Sequence, residues 1–148
     1  MSEARFDPWA RRRARRLLAQ ALYQWQLGGA DVAEIERQFK RGDEFERVDE
    51  RFFHDVLRGV VEHAPALDAR IGPLLDRKLA DLDQVERALL RLGTYELCFR
   101  ADVPWRVVID ECVALARTFG AEDSHKYVNA VLDAVARAER AREVAGDG

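Results

Sequence analysis

Apolar residues recur at three- and four-residue intervals along almost the whole chain and strict alternation appears nowhere, so the pattern predicts an all-α protein. The first run, Ala14, Leu17, Leu18, Ala21, Leu22 and Trp25, follows Asp7-Pro8, an N-cap with proline at the first helical position, and stops at Gly28-Gly29. Asp31 caps a short second helix carrying Val32, Ile35 and Phe39, after which Lys40 to Glu46 reads as a charged loop. Asp49 opens a third helix that turns Phe52, Phe53, Val56, Leu57, Val60 and Val61 inward and ends close to Pro65. A fourth, from Ala66 to about Leu79, is expected to kink or divide at Gly72-Pro73.

Asp83-Gln84-Val85-Glu86 resembles a capping box with aspartate in place of serine or threonine, and it starts a fifth helix with Val85, Ala88, Leu89, Leu92 and Leu97. Asp102-Val103-Pro104 breaks the chain before a sixth, with Val108, Ile109, Cys112, Leu115, Ala116 and Phe119, closed by Gly120. The seventh runs from about Asp123 through Val128, Val131, Leu132 and Val135; the charged tail from about residue 138 is expected to fray. These stripes imply a compact bundle of about seven helices, one domain over residues 1–148, with no repeat or linker. A chain of 148 residues, 48% of them hydrophobic, is sufficient for one such core.

Charge adds what the stripes do not show. The chain carries a net charge of −3, yet residues 8–30 contain Arg11, Arg12, Arg13, Arg15 and Arg16 and no acid, a local +5 that leaves −8 for the remainder. A positive field on an acidic chain points to a polyanionic partner. Arg11/Arg15 and Arg12/Arg16 repel at i, i+4, costing about 0.2–0.5 kcal/mol per pair, and they sit at the positive end of the helix dipole. An anion would relieve both effects. Arg12, Arg16, Gln20 and Tyr23 form one ridge, on which guanidinium forks could hold phosphates and the Tyr23 ring could stack an unpaired base. Lys126 and Tyr127, beside His125 and Asn129, make a second polar-aromatic cluster early in the seventh helix. Charge alone fits an RNA, a helical interaction module whose basic helix meets an acidic protein surface, or a solvated helix face.

Other classes find little support. No apolar stretch approaches the roughly 20 residues that span a bilayer and no signal-peptide core is present, so a soluble, cytoplasmic protein is expected. Cys98 and Cys112 form no CxxC and read as reduced core residues. Glu122 to His125 is a single Glu-x-x-His, where helical di-iron proteins use two plus further glutamates, and His54 and His63 lack metal-ligand spacing. Phosphate-cradling glycine motifs and a nucleophile elbow are absent. No catalytic residue, metal or cofactor is expected, and the chain reads as a non-enzyme.

Several stretches, taken in order, carry a family resemblance. They are Arg-Arg-Arg-Ala-Arg from Arg11; Ala21-Leu22-Tyr23-Gln24-Trp25-Gln26-Leu27; Gln84-Val85-Glu86-Arg87-Ala88; Tyr95-Glu96-Leu97; Asp102-Val103-Pro104; and the run from Phe119-Gly120-Ala121-Glu122-Asp123-Ser124-His125-Lys126-Tyr127 through Val128-Asn129-Ala130-Val131-Leu132-Asp133. Together they make the chain closely resemble the NusB family of bacterial transcription antitermination factors. The resemblance implies an all-helical, non-enzymatic protein that binds the boxA element of ribosomal RNA transcripts. It also implies a heterodimer with the small-subunit ribosomal protein acting as NusE, working in the antitermination complex on RNA polymerase. By that resemblance Arg11, Arg12, Arg13 and Arg15 look like the arginine-rich RNA-binding motif, continued by Arg16, and Gln20, Tyr23, Asp123, Lys126 and Tyr127 look like the rest of the RNA surface. Glu86 falls near the RNA and NusE contacts, where a carboxylate suits a base edge or a partner donor better than a phosphate. Ala130 departs from the family's usual glycine, and Tyr127 stands where phenylalanine is also frequent. Whether the free protein forms a homodimer over the arginine patch is left open by the sequence.

Overall fold

The computed structural model describes residues 7–147. Seven α-helices occupy most of them: α1 (Pro8–Leu27), α2 (Val32–Lys40), α3 (Glu50–Ile71), α4 (Gln84–Phe99), α5 (Trp105–Phe119), α6 (Ser124–Glu139) and α7 (Ala141–Gly146). Four start where an aspartate side chain accepts the free amides of the first turn. Asp7 accepts from Trp9 and Ala10, Asp31 from Glu34, Asp49 from Phe52, and Asp83 from Glu86 at 2.7 Å. α1 stops at Gly28 and Gly29, whose φ of 86° and 98° lie where glycine alone is at ease.

The helix count agrees with the sequence pattern, but the helices are not the same seven. α3 runs straight past Pro65 to Ile71. The ring lies on the exposed side while Val60, Ala64, Leu67 and Ile71 keep one buried stripe through it, so burial outweighs the lost hydrogen bond. What remains of the expected fourth helix is two 3₁₀ turns, Gly72–Leu74 and Leu79–Asp81, and part of the expected charged loop forms another at Asp43–Arg47.

Residues 141–146 are helical, held by contacts that no local pattern announces. Arg140 donates to the carbonyls of Glu96, Leu97, Arg100 and Val103 and to the Glu143 carboxylate, capping the open end of α4. Glu143 accepts the Trp105 amide at 3.0 Å and Asp147 the Trp105 indole N–H at 2.6 Å. The Trp105 amide, helped by Arg140, holds the Glu143 carboxyl below its ordinary range.

α4 is the axis of the bundle, packed against α1, α3, α5 and α6, and eleven of its sixteen residues are buried. Covered over most of its length, it pairs most of its polar side chains inside, although the Thr94 hydroxyl and the Arg87 Nε are buried without a hydrogen-bond partner. Glu86 accepts from Ser124 of α6, Arg91 forks onto Asp68 of α3 at 2.9 and 2.7 Å, and Glu96 meets Arg15 of α1. The buried apolar side chains form one continuous cluster. Burial holds both thiols protonated, that of the half-buried Cys98 being pushed up to about 11 and that of Cys112, inside the cluster, higher still.

Where α3 crosses α4, Gly59 faces the Tyr95 ring so closely that a Cβ there would fall inside it. Gly59→Ala gains about 1 kcal/mol of helix propensity, but overpacking a rigid ring costs about 1–3 kcal/mol. A Tm lower by roughly 2–6 °C is expected in thermal unfolding; an unchanged or higher Tm would mean that Tyr95 swings clear.

Candidate nucleic-acid interface

Helical geometry divides the arginine run into two faces. Arg11 and Arg15 turn inward. Arg15 is 3% exposed and forks onto Glu96, which is fully buried, through bonds of 2.9 and 2.8 Å. Arg11 bonds Asp49 at 3.3 Å and Asp102 at 3.1 Å. With Arg100, which forks onto Asp102, these guanidinium groups lie 4.7–5.0 Å from the centre of the buried Phe52 ring. The Arg100 fork, joined by Arg11, holds the Asp102 carboxyl far below the usual carboxylate range.

Arg15 is therefore corrected from a surface cation to a buried structural one, and Arg11 is largely committed inside. The anion that offsets their mutual repulsion is the protein's own.

Arg12, Arg13 and Arg16 face outward. Arg12 is half exposed, with Glu111 no nearer than 3.7 Å; Arg13 donates to the Arg47 carbonyl at 2.9 Å; Arg16 lies over Phe119 at 5.3 Å. All three line a cavity of about 240 Å³ between α1 and α5, reaching Thr118. Beside it Gln20 and Tyr23 line a second cavity of about 340 Å³ with Phe119 and Val85. A third, about 470 Å³, is walled by Glu86, Asp123, Lys126 and Tyr127. The Arg16 guanidinium over the Phe119 ring links the first cavity to the second, and the second and third each take a wall residue, Val85 and Glu86, from the first turn of α4.

The fold thus brings together nine of the sequence candidates, Arg12, Arg13, Arg16, Gln20, Tyr23, Glu86, Asp123, Lys126 and Tyr127, from three helices far apart in sequence. Their roles differ in geometry. Glu86 is 8% exposed, and one of its oxygens accepts the Ser124 hydroxyl at 2.7 Å, tying α4 to α6. The capping box is therefore only half formed: Asp83 caps the Glu86 amide, but the Glu86 carboxylate serves another helix. Lys126 and Asp123 are mostly exposed and 3.6 Å apart.

Tyr127 is less open than a free stacking ring. Arg77 lies 4.4 Å over its centre, and its hydroxyl donates to Asp76 at 3.2 Å. Asp76 in turn grips Arg77 at 2.8 and 3.4 Å. Partial burial and the Asp76 bond raise the Tyr127 phenol above its ordinary value, while the Arg77 fork lowers the Asp76 carboxyl. Arg77 and Phe119 are the site residues that sequence reasoning missed. Phe119 read as core, and Arg77 sits in a segment read as helix, with no local signal to bring it to Tyr127.

Among the described residues, no group of three or more His, Cys, Asp or Glu could hold a metal ion, and no helix is long and apolar enough to cross a membrane. Glu122 precedes the start of α6, so the Glu-x-x-His does not lie on one helical face.

The model of the NusB family matches residues 12–137. The chain belongs to the NusB family. A NusB-named relative, the transcription antitermination protein of Alcanivorax borkumensis, is 56% identical over 136 residues, covering 92% of this chain and 91% of the relative. In structure the chain is similar to NusB of T. maritima, with a TM-score of 0.76, 35% identity and coverage of 85% of this chain and 89% of that one. It is also similar to NusB in a crystal structure of NusB and NusE with double-stranded RNA, at a TM-score of 0.74 and 29% identity over 89% of this chain and 99% of that one. Family membership accounts for the all-helical architecture, and the family match spans every helix from the arginine face to α6.

Proposed function

We propose that this chain is a cytoplasmic, non-enzymatic transcription antitermination factor, a single domain that binds boxA-like single-stranded RNA of ribosomal RNA transcripts together with NusE. In that role it supports processive rRNA synthesis within the antitermination complex on RNA polymerase. The observation that carries this reading is the three adjoining cavities. Cations line one end, aromatic rings the middle, and a mixed polar set the other end, which is the composition a single strand needs for its phosphates, base faces and base edges. The NusB–NusE–RNA complex among the solved relatives supports the choice of RNA over an acidic protein surface.

Phosphate contacts from Arg12, Arg13 and Arg16 supply affinity on this reading. Gln20, Tyr23, Glu86, Asp123, Lys126 and Tyr127 supply base selection, with Arg77 added as the plane that covers Tyr127. A homodimer of the free protein, should it form over this face, would compete with RNA.

Binding of boxA RNA, a scrambled strand and the boxA duplex across a salt series, with and without NusE, tests the proposal. The single boxA strand is expected to bind tightest, more tightly still with NusE, and log K to fall linearly with log salt. A flat salt response, or equal affinity for the scrambled strand, would sink it. Tight NusE binding that survives ribonuclease without measurable RNA affinity would instead establish the protein-interaction module.

A further inference from the structure

Trp9 stands at the start of α1 and is 63% exposed. A tryptophan ring left in water keeps its flat faces open to a partner. It makes no use of the core beneath it: the α1 residues that enter the core begin with Ala14. Its place in the helix is specific. Trp9, Arg13, Arg16, Gln20 and Tyr23 follow one another at steps of four, three, four and three, which is a single ridge along one face of the helix. Arg12, on the flank of that ridge, has its guanidinium 5.8 Å from the Trp9 ring centre.

The ridge therefore reads aromatic, cation, cation, amide, aromatic. It is closed at one end by Trp9 and at the other by Tyr23, itself 40% exposed. The two rings are about 21 Å apart along the axis at 1.5 Å per residue. Cations between two aromatic platforms suit an extended single strand, with phosphates on the arginines and a base on the ring at each end.

We infer that Trp9 is a nucleobase-stacking platform that extends the single-stranded RNA track by one nucleotide beyond the arginines. This rests on the RNA-binding reading. The residue lies before the stretch, residues 12–137, that the family model matches. Its contribution is affinity with little base choice, because every base has a face to stack.

The test uses the full chain with boxA RNAs shortened one nucleotide at a time from each end, comparing wild type with Trp9→Ala and Trp9→Phe. Wild type is expected to lose affinity in a step when the nucleotide reaching Trp9 is removed. Trp9→Ala should bind the full RNA roughly 5- to 100-fold more weakly, the range for one base on one ring, and show no such step. Trp9→Phe should recover most of the loss, and the salt slope should match wild type throughout, because no phosphate contact is removed. Circular dichroism reports whether α1 is intact in each variant. Wild type that binds no RNA would overturn the RNA reading and this inference with it. Wild type that binds RNA while Trp9→Ala stays within twofold, or weakens long and shortened RNAs alike, would overturn the inference alone. So would a loss confined to NusE binding or self-association, which would place a protein on the ring.

Discussion

Arg15→Ala should cost about 3–5 kcal/mol of folding stability, because it leaves the Glu96 carboxylate buried without its counterion. Yet Arg15 comes from the same basic run as Arg12 and Arg16. Burial opposes the charge on Arg15, but the hydrogen bonds and field of Glu96 outweigh it, so the guanidinium is held even more firmly protonated than usual. Both partners lack water: Arg15 is 3% exposed and Glu96 not at all. Glu96→Gln should be costly for the mirror reason, a buried guanidinium left without its charge partner. Replacing both together, as Arg15→Met with Glu96→Leu, should lose much less than either single change, since a buried ion pair is often matched by apolar residues of similar volume. Urea unfolding measures this as a lower midpoint at unchanged m-value. A midpoint near wild type for Arg15→Ala, with RNA affinity falling as steeply as for Arg12→Ala, would put Arg15 back on the surface.

That division of one arginine run shows what the sequence could and could not reveal. Helix starts were legible because they are local: aspartate three residues before an amide it caps, at Asp31, Asp49 and Asp83, needs nothing from elsewhere in the chain. Spacing also placed Arg11 with Arg15 on one face and Arg12 with Arg16 on another. Which face turned inward depended on Asp49, Asp102 and Glu96, which are 38, 91 and 81 residues away from their arginine partners. The same reason hid the continuation of α3 past Pro65 and the docking of the tail, where Arg140 finds carbonyls about 40 residues back. At the candidate site, Tyr23 was legible as an aromatic on a basic ridge, and Lys126 and Tyr127 beside His125 and Asn129 as a polar-aromatic edge, while Asp123 came only with the resemblance. Glu86 needed the resemblance, and Arg77 needed the fold itself.

The outward arginines should behave in the opposite way. Changing Arg12, Arg13 and Arg16 together to alanine should leave the free energy of unfolding within about 1 kcal/mol of wild type, since exposed pairs such as Arg12 with Glu111 are worth little. RNA affinity should fall roughly a hundredfold or more at low salt, because each lost charge-assisted contact to a phosphate is worth on the order of 1.5–3 kcal/mol and the three are not fully additive. The slope of log K against log salt should shrink by about 2, at roughly 0.7 per phosphate contact on a single strand. Affinity for boxA and scrambled RNA should fall by similar factors, leaving their ratio nearly intact, because phosphates carry no sequence. Tyr127→Ala is the control with the reverse signature: an unchanged slope and a smaller boxA-to-scrambled ratio. If the triple change instead lowered the ratio and spared the slope, the arginines would be reading bases and the polar end of the surface would be holding the backbone.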